Sequence, residues 1–170
     1  MLISESYSEL NKELHEKDPS WGTTADQWLS VIKGLMTKHK PASVLDYGCG
    51  KAVLAGHIPF IQSYDPNVPG YDIPPDAAEL VLCVDVLEHI EPECIDAVLD
   101  DLRRLTKAVG FFVICTVPAV AVLSDGRNAH LIVESAEWWR DKIAKRFDII
   151  DEQSAGINYV VTVGAKDGSN

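Results

Sequence analysis

The sequence lacks any surplus of positive charge. It contains 15 lysines and arginines against 26 aspartates and glutamates, a formal net charge of −11 at pH 7. The phosphates of DNA and RNA repel such a surface, so the composition disfavours general nucleic-acid binding. Arg103, Arg104 and Lys107 could form a local basic patch, but a solvated helix face is the simpler interpretation. We therefore expect no nucleic-acid partner.

Long hydrophobic runs and paired cysteines are also missing. No stretch approaches the roughly 20 apolar residues of a membrane span, and the first residues, MLISESYSEL, resemble no secretory signal. The four cysteines, at positions 49, 83, 94 and 115, show no Cys-x-x-Cys spacing. Reduced thiols without a zinc site are typical of this pattern. We expect a cytoplasmic protein with no membrane partner and no bound metal.

Several catalytic signatures are absent as well. The sequence has no Gly-x-Ser-x-Gly, no His-Glu-x-x-His and no phosphate-binding Gly-Lys-Ser/Thr. These absences disfavour a serine hydrolase, a zinc protease and a nucleotide hydrolase. The length of 170 residues and the hydrophobic content of 46% fit one globular domain.

The sequence does contain one compact glycine turn. Residues 44–45 begin a short apolar run that is typical of a buried strand, and Asp46, Gly48 and Gly50 follow it. A helix-compatible segment, 51–58, comes next. A strand, a glycine turn and a helix in this order leave backbone N–H groups and a helix N-terminus facing a ligand.

This turn resembles the first motif of class I S-adenosylmethionine-dependent methyltransferases, acidic-x-Gly-x-Gly-x-Gly. Asp46, Gly48 and Gly50 match the motif, and Ala52 stands in place of its third glycine. A nicotinamide-binding Gly-x-Gly-x-x-Gly would need glycine where Val53 stands, which favours the methyl donor. The resemblance implies S-adenosyl-L-methionine as cofactor and S-adenosyl-L-homocysteine as product.

Two later segments strengthen the resemblance. A strand over residues 61–65 ends in Asp65, which stands at about the offset from Asp46 where the family places the acid that accepts the donor's ribose hydroxyls. The segment 85–90, Asp-Val-Leu-Glu-His-Ile, resembles the signature after strand four of small-molecule members. The donor-binding residues that the resemblance implies are Asp46, Tyr47, Gly48, Gly50, Asp65, Pro66, Asp72, Asp85 and Val86.

Alternating strands and helices, then a hairpin around Gly156, predict an α/β fold. We expect the doubly wound, Rossmann-like methyltransferase fold, with a mostly parallel sheet of six to seven strands and a C-terminal antiparallel hairpin. The segment from Asp65 to Glu79 is too brief for the usual helix and third strand. The region between strands two and four is therefore expected to be shortened, with 71–75 as a vestige of strand three. The expected segments are an N-terminal flap or extension over 1–23, a methyltransferase domain over 24–165 and a flexible tail over 166–170.

Local signals set the expected element boundaries. Residues 24–27 fit a capping box that begins a helix, and Lys40 lies at the end of that helix, before a proline. Pro92 fits the first position of a later helix, and Gly110 is expected to begin a strand that runs to Val117.

The acceptor side is predicted from the long loop after that strand. Loops at the carboxyl ends of parallel strands carry ligand chemistry, so Arg127, Asn128 and His130 are candidates for binding or activating the acceptor. His130 could remove a hydroxyl proton, although lone loop histidines are more often structural. His89, like the neighbouring glutamate, could reach the acceptor or only cap local structure. Trp21 could line the pocket or pack on the sheet edge.

The sequence thus predicts a methyltransferase that acts on an unidentified small molecule, less readily on a protein, as a monomer or homodimer. The tetrapeptide of DNA amino-methyltransferases is absent after strand four, where Asp85 begins a different signature. Three alternatives stay open: an enzyme of the same fold that uses the donor differently, for instance as a lyase, a non-catalytic module that binds the donor, and a nicotinamide oxidoreductase.

Overall fold

A computed structural model describes residues 1–166 of the chain. Of the tail predicted over 166–170, only Lys166 falls inside this range. In sequence order, the α-helices are α1 (Glu5–Lys17), α2 (Leu29–His39), α3 (Ile95–Leu105) and α4 (Ala136–Ala144). The strands are β1 (Val44–Tyr47), β2 (Ile61–Tyr64), β3 (Ala78–Val84), β4 (Thr106–Cys115), β5 (Phe147–Ala155) and β6 (Asn158–Ala165). Single 3₁₀ turns occupy Thr24–Trp28, Val53–Gly56 and Leu87–His89.

The strands form one six-stranded sheet in the order β2-β1-β3-β4-β6-β5. The first four strands in this order pair in parallel, and β6 pairs antiparallel with both β4 and β5. The predicted mostly parallel sheet with a C-terminal hairpin is confirmed. Parallel pairing brings the carboxyl ends of β1 to β4 to one edge, where ligands bind in open α/β sheets.

Helices cover both faces of the sheet, because both faces of its central strands are apolar. Cys83 and Phe112 pack in the core on the side of α3 and α4. Leu82 and Phe111, their neighbours in the chain, pack on the other side with Ile32 of α2. The buried stripe of α3 consists of Ile95, Val98, Leu99, Leu102 and Leu105.

Two predicted helix starts are wrong. Residues 24–27 form a 3₁₀ turn with no side-chain cap, since the Thr24 hydroxyl donates to the Asp85 carboxylate, 2.9 Å away. Helix α3 begins at Ile95 rather than at Pro92, because a turn closed by the Cys94 N–H and the Glu91 carbonyl precedes it.

Three further boundaries differ from the predicted ones. The helix expected over 51–58 is reduced to the 3₁₀ turn Val53–Gly56. Residues 71–75 form no strand, since the Tyr71 carbonyl accepts from the Asp65 N–H and turns the chain back beside β2. Strand β4 begins at Thr106 instead of Gly110, because Thr106 already pairs with Ala78 of β3.

The N-terminal helix α1 lies against the loops at the carboxyl edge. Ser4, its N-cap residue, donates through its backbone N–H and its hydroxyl to the two carboxylate oxygens of Glu91. Tyr7 is buried against Leu123 and Ala129 of the loop after β4. These contacts hold α1 over the sheet edge. No helix in residues 1–166 combines the length and hydrophobicity needed to cross a membrane.

In the segment after α1, the backbone of Gly22 lies in direct contact with the backbone of the glycine turn. A Cβ built on Gly50 would lie 2.7 Å from both the Cα and the carbonyl oxygen of Gly22. Gly50 also has a φ of +51°, which disfavours other residues. The Lys51 N–H donates to the Gly22 carbonyl oxygen at 3.0 Å. The contact joins the N-terminal segment to the loop after β1.

We expect Gly50→Ala to destabilise the fold by about 1–3 kcal/mol, because backbone atoms of Gly22 must move and the positive φ is strained. Gly56→Ala is the matched control, since a Cβ there meets nothing within 4 Å. Thermal unfolding should show a lower midpoint for Gly50→Ala and little change for Gly56→Ala. Equal unfolding midpoints for the two variants would contradict the close backbone contact between Gly22 and Gly50.

Candidate functional site

A cavity of about 260 Å³ opens at the carboxyl edge of the sheet. The loops after β1, β2 and β3 form its floor, and α1 with the following segment forms the opposite wall. The predicted site residues that line it are Trp21, Tyr47, Gly48, Gly50, Asp65, Pro66, Asp85, Val86 and His89. Residues predicted from four separate stretches of the sequence thus meet around one cavity.

The glycine turn contributes a bare surface rather than free hydrogen-bond donors. The N–H groups of Gly48 and Cys49 both donate to the Tyr64 carbonyl, at 2.8 and 3.0 Å. The Gly50 N–H donates to an Asp65 carboxylate oxygen at 3.0 Å. The prediction of N–H groups and a helix N-terminus facing the ligand is therefore wrong. A Cβ on Gly48 would lie 2.5 Å from Val86 Cγ2, so glycine is needed for close packing.

The Asp65 carboxylate fixes the loops and keeps capacity for a ligand. One oxygen accepts from the Gly50 N–H and the other from the Asn67 N–H at 2.9 Å. A carboxylate offers about four lone-pair sites, so two remain. Asp65 is only 7% exposed, yet it lines the cavity. A hydroxyl pair in the cavity would find free hydrogen-bond acceptor sites there.

Asp46 lies beneath the cavity and does not line it. Its side chain is 2% exposed, and its Oδ2 has no hydrogen-bond partner in residues 1–166. Burial, together with the negative charge of Asp65, raises the pKa of Asp46 to about 7.

Asp85 directly follows β3 and has a backbone conformation that is unusual for this residue type. Its φ is +59°, in the left-handed region, which costs about 1 kcal/mol or more for a residue other than glycine. The Asp85 N–H donates to the Val113 carbonyl, and its carboxylate accepts from Thr24. Strained residues of this kind cluster at functional sites.

Two histidines meet beside Asp85. The rings of His89 and His130 pack edge to face with centroids 4.7 Å apart, and Trp21 packs on His89 at 5.0 Å. His89 lines the cavity, whereas His130 reaches it only through His89. Burial lowers the pKa of His89 to about 4, although the charge of Asp85 opposes this shift.

Glu88 completes this group; the sequence left open whether it reaches the acceptor or only caps local structure. It is fully buried, and one carboxylate oxygen accepts from the Cys115 N–H at 2.5 Å. The other oxygen faces the Asp85 carboxylate and receives no hydrogen bond from an N–H or hydroxyl group in the described residues. Burial, with the nearby charge of Asp85, raises the pKa of Glu88 well above its usual range. Its place in the Asp-Val-Leu-Glu-His-Ile segment was the signal that pointed to it.

Besides Asp46 and His130, three predicted residues lie away from the cavity lining. Asn128 accepts from the N–H groups of Ala119 and His130 and donates to the Ala119 carbonyl, so it supports the loop that carries His130. Arg127 pairs with Asp125 and lies over the Tyr7 ring. Within residues 1–166, the exposed Asp72 accepts a hydrogen bond only from the nearby Gly70 N–H. Their roles toward a ligand stay predictions.

The sequence predicted a flap over residues 1–23, but no pattern in it indicated which side chains of α1 face the cavity. Tyr7, Asn11 and His15 of this helix line the cavity. The Asn11 side-chain oxygen is buried without a hydrogen-bond partner in residues 1–166. Ser8 donates to Asn67 at 2.7 Å and ties α1 to the loop after β2. An unpaired acceptor in the wall is suited to a ligand N–H or O–H.

A family described as methyltransferase domain matches residues 21–154 of the chain. No curated protein matches the sequence. Among solved structures, the 1,6-didemethyltoxoflavin-N1-methyltransferase of Burkholderia thailandensis, with bound 1,6-didemethyltoxoflavin and S-adenosylhomocysteine, is 18% identical over 98% of this chain and 92% of that one, with a TM-score of 0.63.

Two further structures are similar. The magnesium protoporphyrin IX methyltransferase of Synechocystis, with bound S-adenosylhomocysteine, is 16% identical over 85% of this chain and 83% of that one, with a TM-score of 0.60. An rRNA methylase from Escherichia coli is 16% identical over 91% of this chain and 70% of that one, with a TM-score of 0.58. At these identities the similarity establishes the fold.

The buried Asp46 carboxyl predicts a pH dependence of stability. It stays protonated in the folded chain up to about pH 7 but ionises near pH 4 when unfolded. Unfolding therefore releases a proton in this interval, and stability falls as the pH rises from 4 to 7. The loss is on the order of 2–4 kcal/mol.

We expect Asp46→Asn to remove this loss, because an amide does not ionise. The difference in unfolding free energy between Asp46→Asn and the wild type should grow from pH 4 to pH 7 and stay constant above it. Urea unfolding at a series of pH values measures the difference. A constant difference across the series would show that Asp46 ionises normally in the folded chain.

Proposed function

The chain belongs to the family of methyltransferase domains, and on this basis we propose that it transfers a methyl group from S-adenosylmethionine to a small-molecule acceptor. The observation that supports the donor most is the cavity bounded by the bare glycine turn and the Asp65 carboxylate. The relatives from Burkholderia and Synechocystis, which contain S-adenosylhomocysteine, support the same donor.

The residues of the cavity fit this donor. Gly48 and Gly50 line the cavity without side chains, and their close packing on Val86 and Gly22 keeps the turn compact beside the ligand space. Asp65 has lone pairs left for the two ribose hydroxyls, and charge-assisted hydrogen bonds of this kind contribute about 1.5–3 kcal/mol each. Asn11 offers its unpaired side-chain oxygen to a donor N–H or O–H. Asp85 places a carboxylate at the end of β3, where a cationic ligand group is stabilised.

The main task of the protein is to hold donor and acceptor in line. The bound donor supplies a methyl group that its sulfonium already activates, so no protein nucleophile is required. Alignment by a rigid site contributes up to about 7–11 kcal/mol. The loops after β1, β2 and β3 are fixed by backbone hydrogen bonds, such as those of Gly48 and Gly50. Their rigidity supports this positioning role.

We assign the predicted N-terminal flap, residues 1–23, to closing the cavity. Helix α1 contributes Tyr7 and Asn11 to the wall. Polar contacts at its margins, from Ser4 to Glu91 and from Ser8 to Asn67, hold it in place. These polar contacts and the small apolar cluster of Tyr7, Leu123 and Ala129 bury less surface than the packed core, so α1 opens at a lower cost in free energy. Release of α1 would admit the ligands, and its return would exclude water.

A small-molecule acceptor is supported by charge. The net charge of −11 repels nucleic acid, and two acidic residues, Asp65 and Asp85, line the cavity. His89, the predicted catalytic residue at the cavity wall, and His130 beside it make up the acceptor side that we propose.

Transfer is tested by incubating the purified protein with donor labelled in the methyl group and an extract of cell metabolites. We expect label in a small-molecule product and release of S-adenosylhomocysteine. Parallel reactions contain total RNA or mixed proteins in place of the extract. Label in RNA alone would contradict the proposed acceptor class, and no label in any fraction would contradict the proposed transfer.

We expect Asp65→Asn to weaken donor binding at least tenfold, because the variant loses the charge that strengthens hydrogen bonds to the ribose, about 1.4 kcal/mol or more. The matched control is Asp72→Asn, which removes an exposed carboxylate outside the cavity lining. Isothermal titration with S-adenosylhomocysteine measures both. Equal affinity of the two variants would remove Asp65 from the donor site.

A further inference from the structure

Four metal-ligating side chains converge at the wall of the cavity. Asp85, Glu88 and His89 follow β3, and His130 lies in the loop after β4. One ligand atom from each side chain lies within 4.8 Å of all the others. Ligands about 2.1 Å from an ion lie at most roughly 4.2 Å apart across it. A tetrahedral or octahedral arrangement places most ligand pairs about 3.0–3.4 Å apart, so side-chain adjustments of up to about 1 Å bring all four to one cation.

The hydrogen bonds of the two histidines fix the tautomer that metal binding requires. His89 Nδ1 lies 2.8 Å from the Ala129 carbonyl oxygen, and His130 Nδ1 lies 2.6 Å from that of Val117. A carbonyl oxygen only accepts, so both Nδ1 atoms carry hydrogen. Each Nε2 then has a free lone pair in the neutral ring. Metal-binding histidines almost always show this backbone or carboxylate contact on their second nitrogen.

The environment of Glu88 is a second, independent observation indicating that the cluster of Asp85, Glu88, His89 and His130 binds a ligand. Its side chain is fully buried, and one of its carboxylate oxygens faces the Asp85 carboxylate and receives no hydrogen bond from an N–H or hydroxyl group in residues 1–166. Leaving such an oxygen unpaired is costly. The other oxygen is held by the Cys115 N–H, which fixes the orientation of the carboxylate. A cation bound by the cluster would satisfy the free oxygen.

Surrounding groups hold the cluster in place. Asn128 binds the backbone N–H of His130 and thereby positions the loop that carries it. Thr24 donates to Asp85 and leaves the other carboxylate oxygen available. Asp85 and His89 face the cavity, so an ion held here would be open to a ligand in the cavity on one side.

We propose that Asp85, Glu88, His89 and His130 bind one divalent transition-metal cation at the acceptor side of the cavity. Two imidazoles and two carboxylates suit manganese, iron, cobalt or zinc better than magnesium or calcium, which prefer oxygen ligands alone. This site replaces the sequence-based expectation of no bound metal.

The role of the ion rests on the proposed function. A cation open to the cavity lowers the pKa of an acceptor hydroxyl that coordinates it. The hydroxyl proton leaves to solvent, and the oxygen forms a bond to the methyl carbon. The bond from carbon to sulfur breaks with its electron pair remaining on sulfur, which becomes a neutral thioether. The inferred acceptor is thus a molecule that is methylated on oxygen. Where the acceptor has a second oxygen beside the reacting one, that oxygen also coordinates the cation.

The binding test uses the untagged full chain after treatment with a chelator and its removal. Titration calorimetry with Mn²⁺ and with Zn²⁺ should show one saturable site, and Mg²⁺ should bind more weakly. Electron paramagnetic resonance of Mn²⁺ gives an independent count of bound ions. Absence of a saturable site for both Mn²⁺ and Zn²⁺ would overturn the proposal.

Variants locate the site. Glu88→Gln and His130→Ala should each weaken Mn²⁺ binding at least tenfold, whereas the control His57→Ala, at an exposed position outside the cluster, should bind like the wild type. Circular dichroism and thermal unfolding show which variants fold, and His89→Gln replaces any variant that does not. Equal affinity in the folded cluster variants and the control would overturn the proposal.

Donor binding and methyl transfer distinguish this inference from the proposed function. If the cation binds and S-adenosylhomocysteine does not, the metal site stands and the proposed donor is wrong. If methyl transfer to an oxygen acceptor proceeds equally in chelator-treated and Mn²⁺-loaded protein, the role of the ion is wrong. Loss of transfer on chelation and recovery on adding Mn²⁺ supports both.

Discussion

The close backbone contact between Gly22 and Gly50 is the constraint on which the cavity depends. A side chain on either residue would push the N-terminal segment away from the loop after β1. Because neither glycine has a side chain, the segment crosses the loop in backbone contact. Helix α1, which precedes the segment, lies over the sheet edge, where Ser4 is hydrogen-bonded to Glu91. The cavity is the space left between the two layers. Its shape therefore depends on two glycines that belong to different segments of the chain.

The carboxyl edge of the sheet also concentrates buried acidic groups. Asp46, Asp65 and Glu88 are each buried, and burial of a carboxylate without partners is unfavourable. Backbone N–H groups stabilise Asp65 through both oxygens. Asp46 and Glu88 keep an oxygen without a partner in the described residues, so they are the least satisfied acidic groups among these three. The raised pKa of Asp46 keeps its carboxyl group protonated up to about pH 7. For Glu88, we infer that a cation binds its oxygen.

The fold and the floor of the cavity could be predicted from the sequence because these depend on local patterns. Apolar runs identify the strands, and Asp65 and Asp85 stand directly after two of them. Parallel pairing then brings such positions together. The N–H groups of the glycine turn were misassigned because the helix after it is a single turn, and the turn bonds instead to Tyr64 and Asp65.

The wall of the cavity and the histidine cluster could not be predicted in the same way. Helix α1 is a polar amphipathic helix, and nothing local to Asn11 indicates which loop it covers. Asn128 was expected to face a ligand, but its side-chain amide forms hydrogen bonds with the backbone of Ala119. These bonds depend on the path of the chain after β4, which no local pattern specifies. His89 and His130 were predicted separately, and their contact follows from the adjacency of β3 and β4.

Hydrogen exchange measured by mass spectrometry, with and without S-adenosylhomocysteine, tests the central claim most directly. If the product binds between the glycine turn and α1, exchange should slow in residues 5–22 and in the loops that contain Gly50 and Asp65, and stay unchanged in β5 at the far edge. Unchanged exchange at the turn and α1 at saturating ligand, or protection confined to other regions, would contradict binding in this cavity.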